Sequence, residues 1–212
     1  MRRSLLGIVA MTLIGRASSV AIIPSDSRAH FMKLALRHAQ HAFREKEVPI
    51  GAVLVDENGE VLAAARNRVE ALRDPTAHAE MECLRLASQQ RANWRLLNCT
   101  LYTTLEPCPM CAGALQAARV RRVVYAASDR RLGALGSWVD LVGAGHPFHN
   151  LQVERGVCED EAAILLKRFF QMRRRENEGG RLGDEVWSVR MPRDSSNSAL
   201  GYASARVGIR PP

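Results

Sequence analysis

The sequence predicts an α/β fold, specifically a three-layer α/β/α sandwich around a central mixed sheet. The first reason is the order of its periodic segments, which alternate as α-β-β-α-β-α-β-β-α. The second reason is composition, because apolar residues make up 47% of the 212 residues, which allows a packed core and excludes a wholly disordered chain. The third reason is length, which suits one domain with tails.

The first half of the predicted fold is a helix, a hairpin and a second helix. Residues 27–46 predict an amphipathic helix, because apolar side chains recur on one helical face. Residues 50–55 form a nearly continuous apolar run, which is typical of a buried strand. The turn at Asn58-Gly59 returns the chain as a partner strand over residues 60–65, and a helix follows over residues 78–90.

The second half alternates strands and helices. A strand rich in Thr and Tyr is predicted over residues 101–105, and an Ala-rich helix over residues 110–118. Further strands are predicted over residues 122–126 and 151–154. The last helix is predicted over residues 159–175, where apolar side chains again follow helical spacing.

The excess of basic residues lies mostly at the two ends of the chain. The net charge is +8, of which residues 1–28 carry +3 and residues 173–212 carry another +3. Net charge therefore says little about the partners of the folded body. The five cysteines do not suit a disulfide framework, and their odd number favours reduced thiols or metal ligands.

Both ends are predicted to lie outside the folded domain. Residues 1–26 combine a basic start, an apolar stretch and small residues, as a targeting or signal-like leader does. The apolar stretch is too short to span a bilayer in the finished protein, so we expect no membrane association of the mature form. Residues 177–212, rich in Gly, Ser, Pro and Arg, predict a disordered basic tail, which leaves the domain over residues 27–176.

Two short segments carry the predicted chemistry: His78-Ala-Glu80 and Pro107-Cys108-Pro-Met-Cys111. A Cys-x-x-Cys pair alone fits a redox pair or a structural zinc site, but a structural site would need a fourth ligand at matched spacing. Three protein ligands with one open position are typical of catalytic zinc. We therefore predict that His78, Cys108 and Cys111 bind one zinc ion per subunit.

Glu80 is the predicted catalytic residue. It lies two positions after His78, near the metal, and a glutamate that does not ligate can act as a general acid and base. The combined pattern H-x-E…P-C-x-x-C is the signature of zinc nucleobase deaminases.

Over residues 28–176 the sequence resembles the TadA-type tRNA adenosine deaminases of the cytidine-deaminase-like superfamily. The shared segments are VPIGAVLV, RNRV, DPTAHAE, LYTTLEPCPMCAGAL, LGALGSW and FFQMRRRE. The zinc motifs identify only the superfamily, and DPTAHAE and EPCPMC also resemble guanine deaminases. TLEPC, LGALGS and the Phe-Phe-x-Met-Arg-Arg helix end resemble the tRNA-acting branch.

The resemblance implies hydrolytic deamination of adenosine to inosine at the wobble position of tRNA by a zinc-dependent homodimer. It implies that Asn67 holds the base edge, and that Phe170, Arg173 and Arg174 contact the anticodon loop. The LGALGSWVDL…HPFH stretch looks most like plastid members, so we expect a plastid protein, with mitochondrion or cytoplasm as the alternatives.

Three other functions stay open. The first alternative is a guanine or cytosine deaminase that acts on a free base or nucleoside. A non-catalytic tRNA-binding partner subunit is the second alternative, although such subunits lack the glutamate that stands here at position 80. A purely structural zinc module is the third.

Overall fold

The computed structural model describes residues 25–143 and 145–187, and its elements follow the predicted order. The elements are α1 (Ser25–Arg44), β1 (Gly51–Val55), β2 (Val61–Arg66), α2 (Val69–Leu72), α3 (Ala79–Gln90), β3 (Thr100–Leu105), α4 (Pro109–Ala117), β4 (Arg122–Ala127), β5 (Gln152–Arg155) and α5 (Glu159–Trp187). Only the single-turn helix α2 is additional to the prediction.

The five strands form one mixed sheet in the order β2-β1-β3-β4-β5. Strand β1 pairs antiparallel with both β2 and β3, whereas β3, β4 and β5 run parallel to one another. Parallel strands end at the same edge of a sheet, so the segments that follow β3 and β4 leave the sheet side by side. The mixed sheet is as predicted.

Helices cover both faces of the sheet, which confirms the three layers. Alternate residues of β1 show this, because Ala52 and Leu54 pack with α3 and α4 while Val53 and Val55 pack with α1 and α5. A strand buried on both faces has no polar side, which explains the continuous apolar run. At Gly51 a Cβ would lie 2.1 Å from the Ala35 carbonyl oxygen, so α1 packs against β1 without room for a side chain.

The termini differ from the prediction. Helix α1 begins at Ser25, inside the predicted leader, and α5 extends to Trp187, where we predicted an irregular tail from residue 177. Extending an established helix is far easier than nucleating one, so the glycines beyond residue 178 do not end it. The rest of the predicted leader and the rest of the predicted tail lie outside the described residues.

The chain divides into two units, one that ends at Met172 and one that begins at Arg173. The predicted domain end at residue 176 therefore lies four residues beyond this division. Within residues 25–143 and 145–187, no helix has the length and hydropathy needed to cross a membrane.

Candidate active site

The two predicted ligand segments meet at the starts of two helices. His78 is the N-cap residue of α3 and Cys108 is the N-cap residue of α4, both with extended backbone angles. Pro109 occupies the first turn of α4, where its fixed φ favours the helix and its missing N–H costs nothing. Cys111 lies in the same turn, so α4 presents both thiols towards His78.

The distances among these three side chains fit a tetrahedral zinc ion. The Nδ1 atom of His78 lies 3.6 Å from the Sγ atoms of both Cys108 and Cys111. Tetrahedral zinc with bonds of about 2.0–2.1 Å to nitrogen and about 2.3 Å to sulfur places these atoms about 3.5 Å apart. Among the described residues this is the only such group of three, and its ligand atoms all lie within 4.8 Å of one another.

The acid–base properties of the cluster favour metal binding. The Cys108 sulfur accepts hydrogen bonds from Cys111 and His78, which lowers the pKa of Cys108 to about 4 although burial opposes this. The shared proton raises the pKa of Cys111, and the bond to Cys108 raises the pKa of His78. A thiolate beside an imidazole is a donor set that zinc prefers.

Glu80 lies in the first turn of α3 and is 3% exposed. Its Oε2 atom is buried without a hydrogen-bond partner among the described residues, and burial raises the pKa of the carboxyl group to about 7. A carboxylate oxygen that has no partner among the described residues, next to three side chains that could hold a metal ion, is free to exchange protons.

Asn67 follows β2 and is also buried, with 3% exposure. The N–H of the next residue, Arg68, donates to the Ala77 carbonyl at 3.0 Å, so the segment that carries Asn67 is bonded to the segment that leads into His78. Its Nδ2 atom donates to the Glu47 carboxylate at 3.0 Å. Sequence reasoning missed Glu47, whose only signal is an acidic residue directly before the apolar run that begins at Val48.

Glu106 is the second buried acid that sequence reasoning missed. Its Oε1 atom accepts the N–H groups of Leu135 and Ser137 at 3.0 and 3.1 Å, and its Oε2 atom accepts that of Asp129 at 3.0 Å. A Cβ at Gly133 would lie 2.4 Å from the Glu106 carboxyl carbon. The carboxylate therefore holds the glycine-containing loop against the segment that leads to Cys108.

The predicted RNA contacts fall in two places. Phe170 is half-buried, and the Arg131 guanidinium lies 5.7 Å from its ring centroid. Phe169, in contrast, is 3% exposed and packs edge-on against Phe43. Arg173 and Arg174 belong to the second unit, where both are exposed and Arg173 pairs with Glu176 at 3.2 Å.

An open cavity of about 670 Å³ lies at the end of β4. The residues that line it are all polar or charged: Ser128, Asp129, Arg130, Arg131, Ser137 and Glu159. The Glu106 carboxylate holds the backbone of two of these residues, Asp129 and Ser137.

Comparison with known proteins gives concordant matches. Residues 25–127 match the zinc-binding region of cytidine and deoxycytidylate deaminases. The chain is 42% identical over 156 residues to a tRNA-specific adenosine deaminase of Haemophilus influenzae, a match that covers 74% of this chain and 90% of that protein. With the Agrobacterium fabrum protein of the same name it shares 45% identity over 147 residues, covering 69% of this chain and 96% of that protein.

A plant relative is much longer than this chain. The chloroplastic tRNA(adenine(34)) deaminase of Arabidopsis thaliana is 47% identical over 159 residues, but the match covers 68% of this chain and only 12% of that protein.

Solved structures include similar proteins of two activities. A tRNA:A34 deaminase that edits the wobble position is 44% identical, with a TM-score of 0.60 over 65% of this chain and 99% of that one. A guanine deaminase from Nitrosomonas europaea is 25% identical, with a TM-score of 0.61 over 80% of this chain and 97% of that one.

Proposed function

The chain belongs to the tRNA-specific adenosine deaminase family, and we propose that it hydrolyses adenosine to inosine and ammonia at the wobble position of tRNA. The observation that carries the proposal is the buried Glu80 oxygen, which has no partner among the described residues and lies beside three side chains that could hold a metal ion. This combination suits hydrolysis rather than a structural role, since a structural zinc site has four protein ligands and no free carboxylate.

We propose one zinc ion per subunit, bound by His78, Cys108 and Cys111. When bound, the ion would make hydroxide available at neutral pH, because zinc lowers the pKa of a water ligand from about 15.7 to about 7. The helix starts that carry the three ligands keep them in place, and the pKa of Cys108 near 4 keeps that sulfur ionised.

Glu80 moves the protons of the reaction. It takes the proton from the attacking water and gives a proton to the ring nitrogen of adenine, whose C6 forms the new bond to oxygen. It then takes the remaining proton from the new C6 hydroxyl and gives it to the departing amine, so that the C6–N6 bond breaks, ammonia leaves and the C6 carbonyl of inosine forms. Asn67 holds the base edge during these steps.

The substrate class follows from how a base reaches such a site. A base that enters a buried pocket must first leave its stack, and a single-stranded loop makes this inexpensive. We propose that the anticodon loop contacts Phe170, Arg173 and Arg174, by stacking on the ring and by phosphate pairing with the guanidinium groups.

We also propose that the enzyme acts as a homodimer and works in the plastid. The localisation is supported by the leader-like residues 1–26 and by the chloroplastic relative from Arabidopsis thaliana. A zinc site with thiolate ligands suits a reducing compartment, and a tRNA substrate suits a compartment in which proteins are synthesised. The plastid meets both conditions, and so do the mitochondrion and the cytoplasm.

The test uses the full chain loaded with zinc. It is incubated with a tRNA transcript that carries adenosine at the wobble position, with the same transcript carrying guanosine there, and separately with adenosine, guanine and cytosine. We expect inosine and ammonia from the transcript with wobble adenosine, and no ammonia from any of the other samples. Ammonia from guanine alone would instead favour the activity of the Nitrosomonas europaea relative, and no product at all would favour the non-catalytic partner subunit.

A further inference from the structure

A buried carboxylate outside the reacting centre contacts the base-holding residue. Glu47 is 1% exposed, and its two oxygens have different partners. Oε2 accepts the Nδ2–H of Asn67 at 3.0 Å, and Oε1 accepts the N–H of Ala71, in helix α2, at 2.8 Å. Burying a carboxylate is costly unless its acceptors are satisfied, so both bonds are needed where Glu47 lies.

The local backbone fixes where this carboxylate lies. Helix α1 ends at Arg44, and Lys46 adopts a positive φ of 62° that turns the chain. The N–H of Glu47 then donates to the Ala42 carbonyl at 3.0 Å, so the residue is anchored to the end of the helix. On the other side, the N–H of Asn67 donates to the Ile50 carbonyl at 3.0 Å. Both side chains are therefore held by their own backbones.

The contact determines the orientation of the Asn67 amide. The two ends of an asparagine side chain are similar in shape but opposite in hydrogen bonding, since the nitrogen donates and the oxygen accepts. Because the Glu47 carboxylate offers only acceptors, the nitrogen of Asn67 must face it. The oxygen and one remaining N–H are then left for a ligand, and no described residue donates to that oxygen.

We infer that Glu47 is a positioning residue that sets which hydrogen-bonding atoms Asn67 presents to the substrate base. The inference rests on the proposed function, in which Asn67 holds the base edge. A base edge that pairs with an oriented amide has to offer a donor opposite the oxygen, and adenine combines a donor and an acceptor on one edge. If the Asn67 amide were turned the other way, its N–H would face the N–H donor of the base.

The substitution Glu47→Gln tests this because it inverts the orientation with little change in shape. The new amide oxygen keeps the bond from Ala71, so its nitrogen faces Asn67 and donates. Asn67 then has to turn its oxygen towards position 47 and its nitrogen towards the base. We expect kcat/KM on wobble-adenosine tRNA to fall about 10- to 100-fold, as when a buried polar group loses its partner.

The double substitution Glu47→Gln with Asn67→Asp keeps the net charge and restores the acceptor that faces the base, but not the remaining N–H of the wild-type asparagine. The new aspartate accepts from the new glutamine and again presents an oxygen to the base, so the recovery is partial. We expect at least about a tenfold recovery over Glu47→Gln alone, because residues that act through one another are not additive. Glu45→Gln is the matched control, since Glu45 pairs with Arg66 at the surface and its loss is expected to change kcat/KM less than about twofold.

Zinc content and thermal unfolding are measured for every variant, so that a folding defect is separated from a change of orientation. Recovery in the double variant supports the inference, because a merely structural role would make two substitutions worse than one. Unchanged activity in Glu47→Gln, or no recovery in the double variant, overturns the inference while the wild-type activity stands. Wild-type protein that forms no inosine overturns the proposed function and the inference together.

Discussion

The carboxylate of Glu106 organises the loop beside the metal cluster, and replacing it with glutamine tests this directly. The carboxylate accepts three backbone N–H groups, two at Oε1 and one at Oε2. A glutamine has one acceptor oxygen, so in either orientation its NH₂ group faces at least one N–H donor. If the amide nitrogen takes the place of Oε2, it faces the N–H of Asp129. If it takes the place of Oε1, it faces the N–H groups of both Leu135 and Ser137.

The expected cost follows from this geometry. One buried donor without a partner costs about 1–3 kcal/mol. Taking about 2 kcal/mol, and about 2–4 °C per kcal/mol for a chain of this size, the melting temperature falls by about 4–8 °C. Zinc content should stay the same, because the ligands are not changed. The KM for tRNA should rise, because the loop that lines the polar cavity is no longer held in place.

The assay is thermal unfolding of the zinc-loaded protein, together with steady-state kinetics on tRNA. Glu57→Gln serves as the control, since Glu57 is exposed and its loss is expected to cost less than about 0.5 kcal/mol. Gly133→Ala should resemble Glu106→Gln, because the added Cβ would lie 2.4 Å from the carboxyl carbon of Glu106. A Glu106→Gln protein that melts and binds tRNA as the wild type does would refute the reasoning.

The remaining predictions concern chemistry, metal, RNA and assembly. Glu80→Gln should keep zinc, and its kcat should fall about 10²–10⁴-fold. A variant that retains more than about a tenth of the wild-type rate would contradict the proton-transfer role. Cys108→Ser and His78→Ala should lower zinc content by atomic absorption, and normal content in both would remove them from the ligand set. Arg173→Ala and Arg174→Ala should each raise KM and reduce the salt dependence of binding by about one in slope, whereas an unchanged slope would argue against phosphate contact. Sedimentation at micromolar concentration should show a dimer, and monomer alone would contradict the proposed assembly.

Periodicity and helix-start chemistry explain why most of the architecture was predictable. The predicted strand bounds agree with β1 to β5 within about two residues, and for the buried strands β1, β2 and β4 the apolar residues of the local sequence carry the signal. The proximity of His78 and Cys108 was predictable because each residue directly precedes a helix. The length of α5 was not predictable in this way. The glycines in its last turns disfavour a helix locally, but the preceding helical turns make its extension favourable.

The two supporting acids could not be assigned from sequence, and the reason is physical. Glu47 and Glu106 are bonded to groups 20 to 31 positions away in the chain, and most of those groups are backbone N–H donors that every residue except proline has. The residue types that supply these N–H groups therefore do not reveal that they bond to a buried acid. The available signal is weaker: each acid stands within two residues of a proline, near one end of a strand.

The three buried glutamates of this site differ in how their oxygens are occupied, and that difference separates their roles. Both oxygens of Glu47 and both of Glu106 accept protein N–H groups, so each of these carboxylates holds neighbouring parts of the chain in place. Glu80 has an oxygen with no partner among the described residues, and it lies beside the metal ligands. A carboxylate with satisfied oxygens orients its neighbours, whereas one with a free oxygen can exchange protons. The same chemical group therefore supports the site at two positions and reacts at the third.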